Sequence, residues 1–199
     1  MEKITIHKMS ANEIGQVADI HMRELPDDFL PSLGRAFLTK VFYPTILAST
    51  KAEGIVSTYK GKITGFSIVA LNSSGLLRDV FFYQPFRSTH EVIKYIFRSP
   101  GNLRRVFQVY FSASEVPQLG NIGEIYFIAV SREEQGHGIG GKLVASSSRL
   151  LQERKMDGIF IKTLKENTNW VNYFLARGWE LHKELTINGK EYVYLNTRF

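Results

Sequence analysis

Apolar and polar positions alternate over residues 3–7 (KITIH), which is the mark of a short strand. The rhythm then lengthens. Ser10 and Glu13 fit an S-x-x-E capping box, and Ile14, Val17, Ala18 and Met22 follow at helical spacing. Pro26, Asp27 and Asp28 break that helix. A second helix is predicted from about Phe29, with Leu30, Leu33, Phe37 and Val41 along one side and Pro44 ending or kinking it. Residues 54–59 (GIVSTY) and 62–71 (KITGFSIVAL) read as strands joined by a tight turn at Lys60 and Gly61. Residues 124–130 (EIYFIAV) are nearly all apolar, as expected of a strand covered on both faces.

After that strand a glycine loop leads into a helix over about residues 138–154. A strand at residues 159–164 (IFIKTL) follows, then a short helix from Asn167 or Thr168 to Arg177, with Gly178 where a terminal glycine belongs. Residues 180–187 and 191–195 flank Asn188 and Gly189, a strong hairpin signal. The pattern is less regular from about residue 72 to 122. There Phe81, Phe82 and Tyr83 suit strand or helix, while 89–97 and 102–111 read as helices. The order β-α-α-β-β, an insertion, then β-α-β-α-β-β implies an α/β domain with a mixed sheet.

Composition narrows the chemistry. A chain of 199 residues suits one domain. The absence of cysteine removes disulfides, thiolate metal sites and cysteine nucleophiles, and fits a reducing compartment. The five histidines lack ligand-like spacing, so no metal is expected. Neither a signal peptide nor a membrane span is legible, which points to the cytoplasm. The formal charge of +6 either keeps the surface soluble or attracts an anion. No basic run resembles a nucleic-acid arm, so no nucleic-acid partner is expected.

The candidate chemistry centres on residues 133–143, EEQGHGIGGKL. Three phosphate-binding patterns overlie it. Gly136, Gly141 and Lys142 fit a Walker A loop, but Leu143 stands where Ser or Thr must hold magnesium. Gly136, Gly138 and Gly141 fit a dinucleotide fingerprint, with Glu166 near the place of the ribose-binding acid. Against it, residues 131–135 separate strand from glycines, and too little chain follows for a second half-sheet. Gln135, Gly138 and Gly140 fit Q-x-x-G-x-G, in which backbone N–H groups at a helix N-terminus hold pyrophosphate.

Taken in register, residues 124–130 and 131–140, then Asn167 and Tyr173-Phe174 ahead of Gly178-Trp179, resemble the GCN5-related N-acetyltransferase (GNAT) superfamily. The resemblance covers about residues 124–179, and the N-terminal elements agree in order. Residues 72–122 do not match and exceed the family's usual link. The resemblance implies one domain over residues 1–199, with a mostly antiparallel mixed sheet flanked by helices and a helical insertion at about 72–122. It implies acetyl-CoA as acyl donor. Backbone groups of Ile128, Ala129 and Val130 would hold the pantetheine arm in a splay between strands. An N–H near Val130 would face the thioester oxygen. Gln135, Gly136, His137, Gly138, Ile139, Gly140 and Gly141 would wrap the pyrophosphate, and Asn167 and Phe174 would lie near the cofactor.

The candidate base is Glu124, where the histone-acetylating branch of the family carries a glutamate. Alternation places it on one face with Tyr126 and Ile128. A dry site would raise its carboxyl towards neutrality; the plainer alternative is an exposed glutamate paired with Lys162. The family's usual acid is a tyrosine at the position of Phe174, and here tyrosine comes one residue earlier, at Tyr173. Neighbours on a helix point about 100° apart, so Tyr173 replaces it only with a shift of the helix; Tyr126 is the other hydroxyl. The expected activity is acetyl transfer to a primary amine of a small molecule, for instance an amino sugar, by direct attack in a ternary complex. A homodimer is compatible with it. The alternatives are a non-catalytic acyl-CoA-binding module, motivated by Phe174, and a dinucleotide-dependent oxidoreductase.

Overall fold

The computed structural model describes residues 3–73, 75, 76, 79, 80, 90, 93, 94, 120–187 and 189–199. The helices read at residues 89–97 and 102–111, the Phe81–Tyr83 ambiguity and most of the insertion lie outside the described residues.

One seven-stranded sheet organises the chain, in the order β1-β2-β3-β4-β5-β7-β6. The strands are β1 (Thr5–Lys8), β2 (Ala52–Tyr59), β3 (Lys62–Ala70), β4 (Ile122–Val130), β5 (Gly158–Leu164), β6 (Glu180–Ile187) and β7 (Lys190–Arg198). Every neighbouring pair is antiparallel except β4 and β5. That parallel pair needs a crossover, which helix α5 (Ile139–Glu153) supplies. The α/β class with a mostly antiparallel mixed sheet is therefore what the chain adopts.

Local sequence accounts for the ends of these elements. The Ser10 N–H donates to the Glu13 carboxylate at 2.8 Å, and a single 3-10 turn leads into α1 (Ile14–Glu24). Lys60 and Gly61 both take positive φ, 53° and 71°, which a two-residue turn matched to strand twist demands. At the end of α6 (Thr168–Leu175), Gly178 at φ 78° lets the Trp179 N–H reach the Phe174 carbonyl at 3.1 Å.

Of the two outcomes expected at Pro44, an end or a kink, the helix does not end there. After α2 (Phe29–Ser32) and a break at Gly34, the chain runs helically through α3 (Arg35–Phe37), a π-helical turn (Leu38–Phe42) and α4 (Tyr43–Ala48). A proline ring clashes with the carbonyl four residues earlier in an α-helix. The wider π turn just before Pro44 relieves that clash, and Pro44 then sits in the tolerant first turn of α4.

The sheet divides two apolar cores. On one side α1 and residues 29–48 pack Val17, Phe37, Phe42 and Tyr43 against Phe66 and Ala129. On the other, α5 packs Leu143, Val144 and Leu151 against Ile125, Ile159 and Leu195. Ser147 is wholly buried in that second helix, yet its hydroxyl meets Ser67 Oγ at 3.0 Å and donates to the Leu143 carbonyl at 2.9 Å. Its burial therefore leaves no polar group unpaired.

Candidate active site

Strands β4 and β5 pair only from Ile122↔Gly158 to Ile125↔Ile161, although β4 continues to Val130 and β5 to Leu164. They diverge immediately beyond Ile125, the neighbour of Glu124. Past that point lies a groove of about 600 Å³. Ile128, Ala129 and Val130 line it from β4, and Gln135, Gly136, Gly138, Ile139, Gly140 and Gly141 line it from the loop and first turn of α5. Asn167, Asn169, Trp170 and Tyr173 close it from the α6 side, and Glu24, Leu25, Arg132 and Glu134 complete the rim.

The loop is built to expose backbone. Gly138 caps α5 at φ 74°, a left-handed conformation that a side chain would strain. A β-carbon on Gly140 would lie 2.9 Å from the Trp170 ring, so glycine permits α6 to approach α5 there. The Gln135 side chain donates to the Val130 carbonyl at 3.0 Å and ties the loop to the strand end. Asn167 caps α6 through its carbonyl, which accepts the Trp170 and Val171 N–H groups at 3.1 Å, while its side chain makes no cap bond.

The rim's charges are largely satisfied internally. Glu24 accepts from Arg23 Nε at 2.8 Å and from the Arg132 N–H at 3.3 Å. Arg23 also donates to Ser131 at 2.9 Å, clamping the end of α1 to the turn after β4. An anion in the groove would therefore be held chiefly by the N–H groups opening α5, together with its helix dipole.

Two of the residues expected near the cofactor do not line the groove. Phe174 is wholly buried, packed between Trp170 at 5.3 Å and Trp179 at 4.4 Å, and does not line the groove. His137 points outward beside Tyr59, with Nδ1 3.2 Å from the Glu134 carbonyl. Tyr173 does face the groove, because α6 presents Trp170 and Tyr173 on its groove side and Phe174 to the core. The Arg177 guanidinium stacks 3.8 Å over the Tyr173 ring and fixes it.

Glu124 and Tyr126 lie lower on β4, on the α1 side of the sheet, Glu124 buried and Tyr126 half-buried. A bulge changes the expected alternation. Ile68 pairs with Phe127 and Val69 with Ile125, so Tyr126 is an extra residue in the ladder. Tyr126, Phe127 and Ala129 consequently pack on the α1 side, while Ile128 turns to the α5 side. Glu124 and Tyr126 share a face as expected; Ile128 does not share it.

Glu124 is only 7 % exposed. Burial pushes its carboxyl up to about 7, although a hydrogen bond from Ser73 and the charge of Lys162 pull the other way. No ion pair joins Glu124 to Lys162 among the described residues; the Lys162 ammonium sits 5.7 Å over the Tyr192 ring. Tyr126 is held well above the usual phenol range by burial, reinforced by the Glu124 and Asp28 charges. It stays protonated and is a reluctant proton donor. Among the described residues no group of His, Asp or Glu could hold a metal ion, and no helix is long and apolar enough to cross a membrane.

Sequence reasoning missed Trp170, Asn169, Glu24, Leu25, Arg132 and Ser73. Trp170 carried a usable signal, since it precedes Tyr173 by three residues and so shares its helix face. Ser73 carried none.

Residues 102–179 match the model of the Acetyltransferase (GNAT) family. No curated protein matches the sequence significantly. Solved structures do match the fold. A crystal structure of an acetyltransferase superposes with a TM-score of 0.66 at 17 % identity, over 98 % of both chains. The ribosomal-protein-S18-alanine N-acetyltransferase of Escherichia coli gives 0.62 at 12 %, over 98 % of this chain and 94 % of that one. A GNAT family acetyltransferase from Elizabethkingia anophelis with acetyl-CoA bound gives 0.55 at 16 %, over 98 % of both.

Proposed function

We propose that this chain, which has the GNAT acetyltransferase fold and matches that family over residues 102–179, transfers an acetyl group from acetyl-CoA to a primary amine of a small molecule. The observation that carries the reading is a buried carboxyl poised near neutrality, Glu124, where β4 and β5 diverge below the groove. The Elizabethkingia protein of the same fold was crystallised with acetyl-CoA, which fits the donor.

The pyrophosphate would lie against the N–H groups of residues 136–141, and the pantetheine arm would run along Ile128, Ala129 and Val130, which line the same groove, towards the splay beside Glu124. Ionised Glu124 takes a proton from the acceptor ammonium, directly or through water. The freed nitrogen lone pair attacks the thioester carbonyl, with the N–H near Val130 facing the oxygen as charge grows. The C–N bond forms, the C–S bond breaks, the attacking nitrogen sheds its second proton to water to leave the amide, and CoA leaves as a thiolate that takes up a proton. Tyr173 is the better placed of the two tyrosines to give it, since it faces the groove and Tyr126 does not. With Tyr173 there, Phe174 supplies no argument against catalysis.

The test has two stages. Acetyl-CoA and CoA at a hundredfold over Kd should stabilise the fold by about 2.7 kcal/mol. Stabilisation by NAD or NADP but not CoA would overturn the reading in favour of a dinucleotide enzyme. Thiol release with a panel of primary amines then separates an enzyme from a binding module, and binding without release under any amine would favour the module.

Gly140→Val should weaken acetyl-CoA binding roughly fivefold or more, since displacing Trp170 from the groove wall costs on the order of 1–3 kcal/mol. Isothermal titration calorimetry measures it. Unchanged affinity would mean that the pyrophosphate is held elsewhere.

A further inference from the structure

We propose that Gly141 is a positioning residue for Tyr173: its lack of a side chain, in the first turn of α5, leaves room for the Tyr173 hydroxyl and so fixes where that hydroxyl stands in the groove. The inference rests on the reading of Tyr173 as the donor to the leaving thiolate. Nothing in the backbone of Gly141 asks for glycine. It lies inside α5 and, unlike Gly136 and Gly138, takes no positive φ. Glycine there weakens the helix, because it loses more freedom on ordering than any other residue. The demand comes from outside the helix. A β-carbon on Gly141 would stand 3.0 Å from the Tyr173 hydroxyl oxygen and 3.7 Å from Cε2 and Cζ of its ring. The ring carbons would be in ordinary contact, whereas the oxygen would be too close. It is therefore the hydroxyl that forbids a side chain at residue 141.

The ring does not yield easily. The Arg177 guanidinium lies 3.8 Å over its face, and Arg177 Nη1 donates to the Tyr173 carbonyl at 3.1 Å, so the arginine is tied to the helix it stacks on. Trp170 and Phe174 meet the ring edge to face, at 5.3 Å and 5.2 Å with interplanar angles of 80° and 86°. Gripped on those sides, the ring carries its hydroxyl across to the first turn of α5. Gly140 and Gly141 thus do neighbouring jobs: Gly140 admits the Trp170 ring, and Gly141 admits the hydroxyl of the residue three further along the same face of α6. A side chain at 141 would push that hydroxyl aside by a few tenths of an ångström. Such a shift matters to a proton donor, which must reach the sulfur at hydrogen-bond distance. The proton passes from the Tyr173 oxygen to the thiolate, and water then replaces it.

The experiment is a double-mutant cycle of Gly141→Ala and Tyr173→Phe, read by Tm and by kcat at saturating acetyl-CoA, with the Kd of acetyl-CoA measured beside them. Phenylalanine removes the oxygen and keeps the ring, so alanine fits at 141 in that background. There Gly141→Ala should raise Tm by about 2 °C or more, the usual gain for glycine to alanine in a helix. Beside Tyr173 the gain should vanish or reverse. In the otherwise wild-type protein Gly141→Ala should lower kcat roughly threefold or more with Kd nearly unchanged. The double variant should be no slower than Tyr173→Phe. An equal Tm gain in both backgrounds overturns the inference, as does a Tyr173→Phe that slows turnover while Gly141→Ala does not. An equal loss of affinity in both backgrounds overturns it too, since glycine would then serve the pyrophosphate directly. If Tyr173→Phe leaves kcat unchanged, the donor reading fails, and the Tm cycle alone decides whether Gly141 holds the hydroxyl. Should Gly141→Ala not fold, folding of the double variant shows the same coupling, and failure of both overturns the inference.

Discussion

Glu124→Gln should lower kcat/KM by roughly 10²-fold or more at pH 8 and abolish the acid limb near pH 7. The limb's position follows from burial, which lifts the carboxyl to about 7 and leaves a substantial ionised fraction at physiological pH. Gln keeps the shape and the hydrogen-bonding reach but cannot accept a proton. The same substitution should stabilise the fold at high pH. A carboxyl whose folded value is raised from 4.5 to about 7 binds more protons folded than unfolded between those values. Its contribution to stability is therefore full below pH 4.5 and is lost as pH rises through 7. By pH 8 the buried charge costs roughly 3 kcal/mol, which Gln avoids. Activity lost and stability gained in one variant would be hard to obtain from a merely structural glutamate. A wild-type limb in Glu124→Gln, or a loss of stability at pH 8, would remove Glu124 from the mechanism.

The second large effect concerns His21 and stability towards acid. His21 is wholly buried among Phe42, Tyr43, Phe66 and Phe127, with Nδ1 2.8 Å from the Tyr43 hydroxyl and Nε2 without a partner among the described residues. Burial pushes its imidazole down to about 3. The unfolded chain binds a proton here from about pH 6.5 downwards, whereas the folded protein does not until about pH 3. Stability from this site is full above pH 6.5 and is lost on acidification towards pH 3, by about 5 kcal/mol in all. Between pH 4.5 and 6.5 Glu124 has the opposite slope, so the two nearly cancel. The wild type should therefore change little over that range on their account and fall steeply below pH 4.5. Urea unfolding at a series of pH values tests this. His21→Gln should flatten the acid arm, and Glu124→Gln should extend it upward to pH 6.5. An acid arm of unchanged slope in His21→Gln would assign it to other groups.

The site was legible in proportion to how local its causes are. The glycine loop could be read because Gly138 answers a backbone demand at a single position and Gln135 bonds only five residues back. The hairpin at Lys60 and Gly61 and the Gly178 cap were legible for the same reason. Tyr173 and Phe174 could be read only against a family position, since which of them faces the groove depends on how α6 lies on the sheet. Glu124 was singled out by position, but whether its site is dry could not be read from the sequence. Its basicity depends on burial, and its hydrogen bond comes from Ser73, fifty-one residues earlier in the chain.

Sequence alone determined the order of strands and helices among the described residues, the glycine loop that opens α5, and the residue types available for acid–base chemistry. These follow from periodicity, turn conformation and the absence of cysteine, which are properties of short stretches. Tertiary structure decided which face each residue serves. The bulge at Tyr126 depends on how β3 and β4 pair, the π turn before Pro44 on how the helical run packs over the sheet, and the pKa of Glu124 on the loss of water around it. Register and desolvation are set by segments far apart in the chain, and no local pattern encodes them.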